Sequence, residues 1–216
     1  MRPDEEIARL TRMPPGRHNL PADFVAQNQR ARLAFAITQL VARQGYPATS
    51  LNQIVRTAGV ARHTFYEHFD SKEDLFLTVF DGAVEEALRL TREAMEAEPG
   101  PWEEKVRAAL AALLAHLAAD PVLSRVCLLE SQSAGLEVLA HYERAMGEFA
   151  EILRAGRNGA GERGEFPESL EDIAVGGVVW MLNKRLVEDP EGIEDLLPRA
   201  LEFVLTPYFG EPAPSS

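Results

Sequence analysis

Residues 45–76 read GYPATSLNQIVRTAGVARHTFYEHFDSKEDLF, and the fold follows from this run. Ser50 with Gln53 three residues later is a capping-box pattern, so a short helix is expected over 51–57. Ala58-Gly59-Val60 reads as a tight turn: Ala58 is small where two helix ends approach, and Gly59 accepts the positive φ of a sharp reversal. A second short helix is expected over 62–68. Ser71-Lys72-Glu73-Asp74 is another capping signature and opens a long helix toward residue 98.

Ile54, Val55, Ala58, Val60 and Phe65 form a small shared core in this arrangement, leaving Arg62, His63, Thr64 and Tyr66 to face outward at the start of the second helix. A supporting helix, two short helices and a glycine turn make the layout of a helix-turn-helix, whose second helix presents its first residues to base edges in the major groove. The same pattern also fits a plain helical corner in a bundle.

Outward from this run the chain continues to read as helix. Residues 23–44 place Leu33, Ile37, Leu40 and Val41 on one face and stop at Gly45. Helices are expected over 102–119, over 121–130 behind the Asp120-Pro121 start signal, and over 136–157, 170–188 and 191–205. The three glycines within 158–164 mark a loop. No segment alternates with a period of two. The expected fold is therefore all-α: an N-terminal three-helix helix-turn-helix domain followed by a larger helical domain. The expected divisions are an arm over 1–21, a helix-turn-helix domain over 22–70, a larger helical domain over 71–209, and a disordered Pro/Ser-rich tail over 210–216.

Charge is divided along the chain. The whole carries −12, but residues 1–80 hold ten Lys/Arg against eight Asp/Glu, and the remainder is strongly acidic. One DNA-facing end on an acidic body fits this asymmetry. No run of about 18 apolar residues suggests a membrane span, the first residues lack a signal-peptide layout, and the single cysteine, Cys127, has no internal disulfide partner. A cytoplasmic location is expected.

The run 45–76 resembles the signature of the TetR family of bacterial transcriptional regulators. Gly45-Tyr46, Thr49-Ser50, Ala58-Gly59-Val60, Thr64-Phe65-Tyr66, His68-Phe69 and Ser71-Lys72-Glu73-Asp74-Leu75 all fall at the family's spacing, and the resemblance covers roughly residues 28–80. It implies a homodimer on a pseudo-palindromic operator. Arg62, His63 and Thr64 would meet base edges or nearby phosphates. Tyr66 and His68 would meet phosphates, and Thr49, Ser50 and Lys72 would start helices whose N-terminal N–H groups face phosphate. Where relatives commonly carry serine, this chain has Ala61, which forgoes roughly 0.5–2 kcal/mol of capping. The stretch around Arg17 resembles an extension found in one subset of the family. An arginine on a Pro/Gly arm suits a narrow minor groove, and a disordered tail fits the same residues.

For the second domain the resemblance implies a small-molecule effector between helices and dimerisation through the last two. Candidate pocket residues are Trp102, Leu113, His116, Leu117, Leu128, Tyr142, Met146 and Trp180, all equally suited to plain core. The apolar segment 175–182 with Gly176 and Gly177, and Leu196, Leu197, Leu201, Val204 and Leu205 beyond it, supply the expected four-helix interface. No cofactor is expected: the sequence has no His/Cys/carboxylate spacing for a metal, no phosphate-binding glycine loop after a strand and no nucleophile motif. An enzyme, and a helical sensor that no longer reads DNA, remain the competing classes.

Overall fold

The computed structural model describes residues 22–156, 167 and 169–209, and among these every regular element is helical. The helices are α1 (Ala22–Gln44), α2 (Leu51–Ala58), α3 (Arg62–Tyr66), α4 (Lys72–Ala97), α5 (Trp102–Ala119), α6 (Pro121–Arg125), α7 (Leu136–Gly156), α8 (Leu170–Glu188) and α9 (Leu197–Phe209). The all-α expectation is met. The expected arm over 1–21 with Arg17, the glycine loop over 158–164 and the tail over 210–216 lie outside the described residues.

Local chemistry sets the boundaries. The Ser50 hydroxyl accepts from the Gln53 N–H while the Gln53 side-chain oxygen accepts from the Ser50 N–H, closing the capping box at α2. Gly59 caps the end of α2 at φ 61°. The Arg32 Nη2 tip donates to the Gly59 carbonyl at 2.7 Å, and it is the backbone angle that calls for glycine. Ser71 caps α4 through the Asp74 N–H at 3.0 Å, and Asp120 caps α6 through the Leu123 N–H at 2.9 Å. Ala61 stands at the start of α3 with no side-chain cap.

Two stretches differ from the sequence reading. The expected single helix over 121–130 is α6 followed by a π-helical turn, Val126–Glu130, and a 3₁₀ turn, Ser131–Ser133. The last expected helix opens as two 3₁₀ turns, Pro190–Gly192 and Glu194–Leu196, before α9 begins, and it extends to Phe209.

Two hydrophobic cores organise the packing. The first joins Leu33, Ile37 and Val41 of α1, Ile54 of α2, Phe65 of α3 and Leu75, Phe76 and Phe80 of α4. It also takes in Val126, Cys127, Ala134 and Val138, so the N-terminal head and the base of the larger helical body share one packed interior. The second core lies at the far end. Trp102, Val106 and Leu114 of α5 meet Leu182 and Leu186 of α8 and Leu201, Val204 and Tyr208 of α9 there. Glu171, fully buried, accepts a hydrogen bond from the Tyr208 hydroxyl at 2.9 Å and lies 3.4 Å from Arg154 Nε, tying α7, α8 and α9 together.

Candidate nucleic-acid interface and buried cavity

The spacing of α3 decides what it displays. Arg62, His63 and Tyr66 stand at i, i+1 and i+4, share one face and are exposed. Arg62 reaches Asn52 Oδ1 at 3.5 Å and the Tyr66 hydroxyl at 3.4 Å, and its guanidinium lies 5.9 Å from the Tyr66 ring centroid. These are long, exposed contacts that leave the guanidinium available to another acceptor. Thr64 corrects the sequence reading. It sits on the opposite side of the same short helix, beside Phe65, and is buried rather than facing outward.

The other head residues divide between display and internal bonding. Ser50 is exposed and used as the α2 cap. Thr49 is buried, its hydroxyl donating to the Gly45 carbonyl at 2.9 Å, so its side chain offers nothing outward. His68 is half-buried, with Nε2 2.9 Å from Gln29 Oε1, which links the end of the recognition segment to α1. Lys72 turns inward as well. Its ammonium donates to the carbonyls of Tyr46 at 3.0 Å and Thr49 at 2.8 Å, lies 3.8 Å from the Tyr46 ring centroid, and has its pKa lowered by burial. The amide N–H groups at the start of α4, not this ammonium, are what the position presents to the outside.

Sequence reading missed the other half of this arrangement. The Tyr46 N–H donates to the Glu130 carboxylate at 3.0 Å, 84 positions away in sequence. Tyr46 is buried edge-on against Phe76, and burial, with Glu73 adding to it, pushes its phenol up to about 12. The peptide on each side of Tyr46 is thus held by an opposite charge, Glu130 at the N–H and Lys72 at the carbonyl. The only sequence signal was a carboxylate closing the apolar run 126–129. Asn52, bonded by Arg62, was missed too.

Between the two cores lies a cavity of about 150 Å³ walled by α4 to α9. Six of the eight candidate pocket residues line it: Leu113, His116 and Leu117 from α5, Leu128 from the π-helical turn, and Tyr142 and Met146 from α7. Trp102 and Trp180 do not. Trp102 is buried in the far core with its ring 4.7 Å from that of Tyr208. Trp180 lies 58% exposed on the outer face of α8, beside Lys184. Both are corrections: α5 and α8 turn these positions away from the space they share. His141, on α7, also points elsewhere, with Nδ1 2.7 Å from Asp81 Oδ1.

The wall is nearly all hydrocarbon, and most of its polar groups are already engaged. The Thr91 hydroxyl donates to the Ala87 carbonyl and the Ser124 hydroxyl to the Leu117 carbonyl. Gln132 hydrogen-bonds the Tyr142 hydroxyl, and burial raises that phenol. The Cys127 thiol is pushed up to about 12, first by burial and then by the Asp120 charge, so it stays protonated at neutral pH. Among the described residues no cluster of His, Cys, Asp and Glu is suited to hold a metal, and no single helix is long and apolar enough to cross a membrane.

A further apolar surface lies on the last helices. Ile173, Trp180 and Val187 follow one another at seven-residue spacing on α8 and are more than half exposed, with Phe203 of α9 packed close to Gly177 beside them.

Comparison with known proteins accords with this architecture. Residues 36–79 match the model of the bacterial regulatory proteins, tetR family. The HTH-type transcriptional regulator AcrR of Shigella flexneri is 29% identical over 133 residues, 62% of this chain and 58% of that protein. The fatty acid metabolism regulator protein of Bacillus subtilis (strain 168) is 26% identical over 136 residues, 63% of this chain and 70% of that one. The alignment with the first of these curated relatives thus spans less than two thirds of its length. The solved structure of the transcriptional regulator FadR from Bacillus subtilis in complex with stearoyl-CoA has the same fold. Its TM-score is 0.71 at 21% identity, covering 84% of this chain and 99% of that one.

Proposed function

Because the chain belongs to the tetR family of bacterial regulatory proteins, we propose that it is a sequence-specific DNA-binding transcriptional regulator, a ligand-responsive repressor that acts in the cytoplasm as a homodimer. The observation that carries this reading is the exposed face of α3, where Arg62, His63 and Tyr66 stand together on a helix-turn-helix scaffold. In this reading residues 22–70 are the DNA-binding domain. Arg62 and His63 meet base edges, while Tyr66, Ser50 and the N–H groups at the starts of α2 and α4 meet phosphate. A bidentate Arg62–guanine pair contributes roughly 1–3 kcal/mol of discrimination. Arg17, His68, Thr49, Thr64 and Lys72 remain secondary candidates, the last four acting through the positions they hold rather than through displayed side chains.

Residues 71–209 bind the effector and dimerise. The apolar stripe on α8, together with α9, is the proposed self-complementary interface. The cavity takes an apolar effector against Leu113, His116, Leu117, Leu128, Tyr142 and Met146. A stearoyl-CoA complex on the same fold supports an elongated hydrocarbon as part of that effector. The route to the head is short. α4 runs from the cavity wall to Lys72, and the π-helical turn runs from Leu128 at the wall to Glu130; both ends grip the peptide units of Tyr46, just ahead of α2. A ligand that fits the cavity only when α4 and the π-helical turn shift changes the separation of the two recognition helices of the dimer. It does so by its differential affinity for the two states.

The test is selection from random duplex DNA at about 150 mM salt, where non-specific attraction is screened. The expected result is an enriched pseudo-palindrome whose binding is lost with Arg62→Ala or Tyr66→Ala. A folded dimer that enriches no sequence, with or without ligand, refutes the proposal.

A further inference from the structure

The cavity wall carries a charge pattern that bears on which effector fits. Among its described lining residues there is no lysine, arginine or glutamate; Asp120 is the single carboxylate, and His116 the single imidazole. The two stand one helical turn apart at the end of α5, so both face the same end of the cavity. Asp120 is also the wall's one charged acceptor. Asp120 uses Oδ1 to cap α6 and keeps its second oxygen, whereas the hydroxyls of Thr91, Ser124 and Tyr142 are bonded within the protein. Burial, with the Asp120 charge adding to it, raises the Cys127 thiol on the same wall. The cations of α4 beside the wall are already paired. Arg89, one turn from the wall on α4, is held by two carboxylates, Glu86 at 2.6 Å and Glu93 at 2.7 Å, and Arg92 is paired with Glu148 at 3.1 Å.

We propose that the cavity selects an apolar ligand whose polar end is a hydrogen-bond donor, a primary amine or an alcohol, seated between His116 and Asp120, and that it disfavours a ligand ending there in a carboxylate. This inference rests on the reading of the cavity as the effector site and gives that site its ligand class. An ammonium at the end of a hydrocarbon chain is attracted to the Asp120 carboxylate. A hydroxyl donates to Asp120 and accepts from His116. A carboxylate meets the like charge of Asp120, and the imidazole beside it, His116, already faces the Glu86 carboxylate. An anionic group is compatible with this wall only if the ligand is long enough to carry it out into solvent, away from Asp120. Because Asp120 lies at the solvent edge, water and salt weaken the effect, and the expected preference is about tenfold rather than the far larger factor of a buried pair.

The experiment is calorimetric titration of the full-length protein with three ten-carbon ligands that differ only at the end: decylamine, decanol and decanoate, each below its micelle concentration, at neutral pH and about 150 mM salt. The expected order is decylamine tightest, decanol next and decanoate about tenfold or more weaker than decylamine. Asp120→Asn keeps an N-capping side chain and so keeps the fold. It is expected to bring decylamine and decanoate within about threefold of each other and to leave decanol within about twofold of its original affinity. Leu113→Trp, which fills the cavity, abolishes binding of all three. Decanoate binding as tightly as decylamine, or an amine preference untouched by Asp120→Asn, overturns the inference while leaving the cavity as the effector site. Failure of all three ligands to bind, or binding unaffected by Leu113→Trp, overturns the cavity reading itself and the inference with it.

Discussion

Replacing Glu130 tests whether the cavity wall and the DNA-binding head are one mechanical unit. The Glu130 carboxylate is the acceptor for the Tyr46 N–H at 3.0 Å, and Tyr46 is buried. Glu130→Ala leaves that N–H without a partner in a place water reaches poorly, at a cost of about 1–3 kcal/mol; Glu130→Gln keeps a neutral acceptor and costs about 1 kcal/mol. For a chain of this length each kcal/mol lowers the midpoint of thermal unfolding by roughly 2–4 °C, so the alanine variant melts about 4–8 °C lower if the loss is near 2 kcal/mol. The decisive readout is local. Amide hydrogen exchange at Tyr46 accelerates about 30-fold for the same 2 kcal/mol, while the amides inside α8 keep their protection relative to global stability. Operator affinity of the variant also loses much of its response to effector, because the π-helical turn no longer grips the head. Unchanged Tyr46 exchange, or an unchanged ligand response in a variant whose Tyr46 exchange has risen, refutes the reasoning.

Other substitutions test other links. Tyr208→Phe removes the hydroxyl that donates to the fully buried Glu171 and lowers stability by about 1.5–3 kcal/mol, measured by urea unfolding. Burial pushes the thiol of Cys127 and the phenol of Tyr46 up to about 12, from ordinary values of 9.0 and 10.0. Native values above the unfolded ones mean that this stability is full below pH about 9 and is lost as the pH rises toward 12. Urea midpoints are expected to fall over that window, and Cys127→Ala is expected to remove the part that begins near pH 9 while keeping the part above pH 10. Trp180→Glu places a charge in the exposed stripe of α8 and is expected to shift the dimer to monomer in sedimentation at micromolar concentration, with helix content unchanged. A variant that stays dimeric removes this face from the interface.

The helices and the helix-turn-helix were legible because their signals are local. Ser50 with Gln53, Gly59, Ser71 with Asp74 and Asp120-Pro121 each act within three or four residues, and each cap is present in the structure. The face of α3 that carries Arg62, His63 and Tyr66 was legible for the same reason, since helical spacing fixes who shares a side. Thr64 was misread by including one position too many on that face.

What the tertiary structure alone decided was which apolar faces meet. Trp102 and Trp180 looked alike in sequence, yet one is buried in the far core and the other is exposed, because how far each helix is rotated about its axis depends on how its neighbours cross it. The cavity was half visible: residues of α5 and α7 were expected, but its α4 wall, including Val84 and Thr91, was not. The Glu130–Tyr46 bond had no local signature, because it joins groups 84 positions apart that only packing brings together. The sequence by itself determined where α2, α4 and α6 begin, the turn at Gly59 and which face of α3 points outward, since those depend on hydrogen bonds a few residues long. The cavity, its lone Asp120 carboxylate and the grip on Tyr46 came from the tertiary structure, since they depend on how distant helices cross and which side chains their crossing encloses.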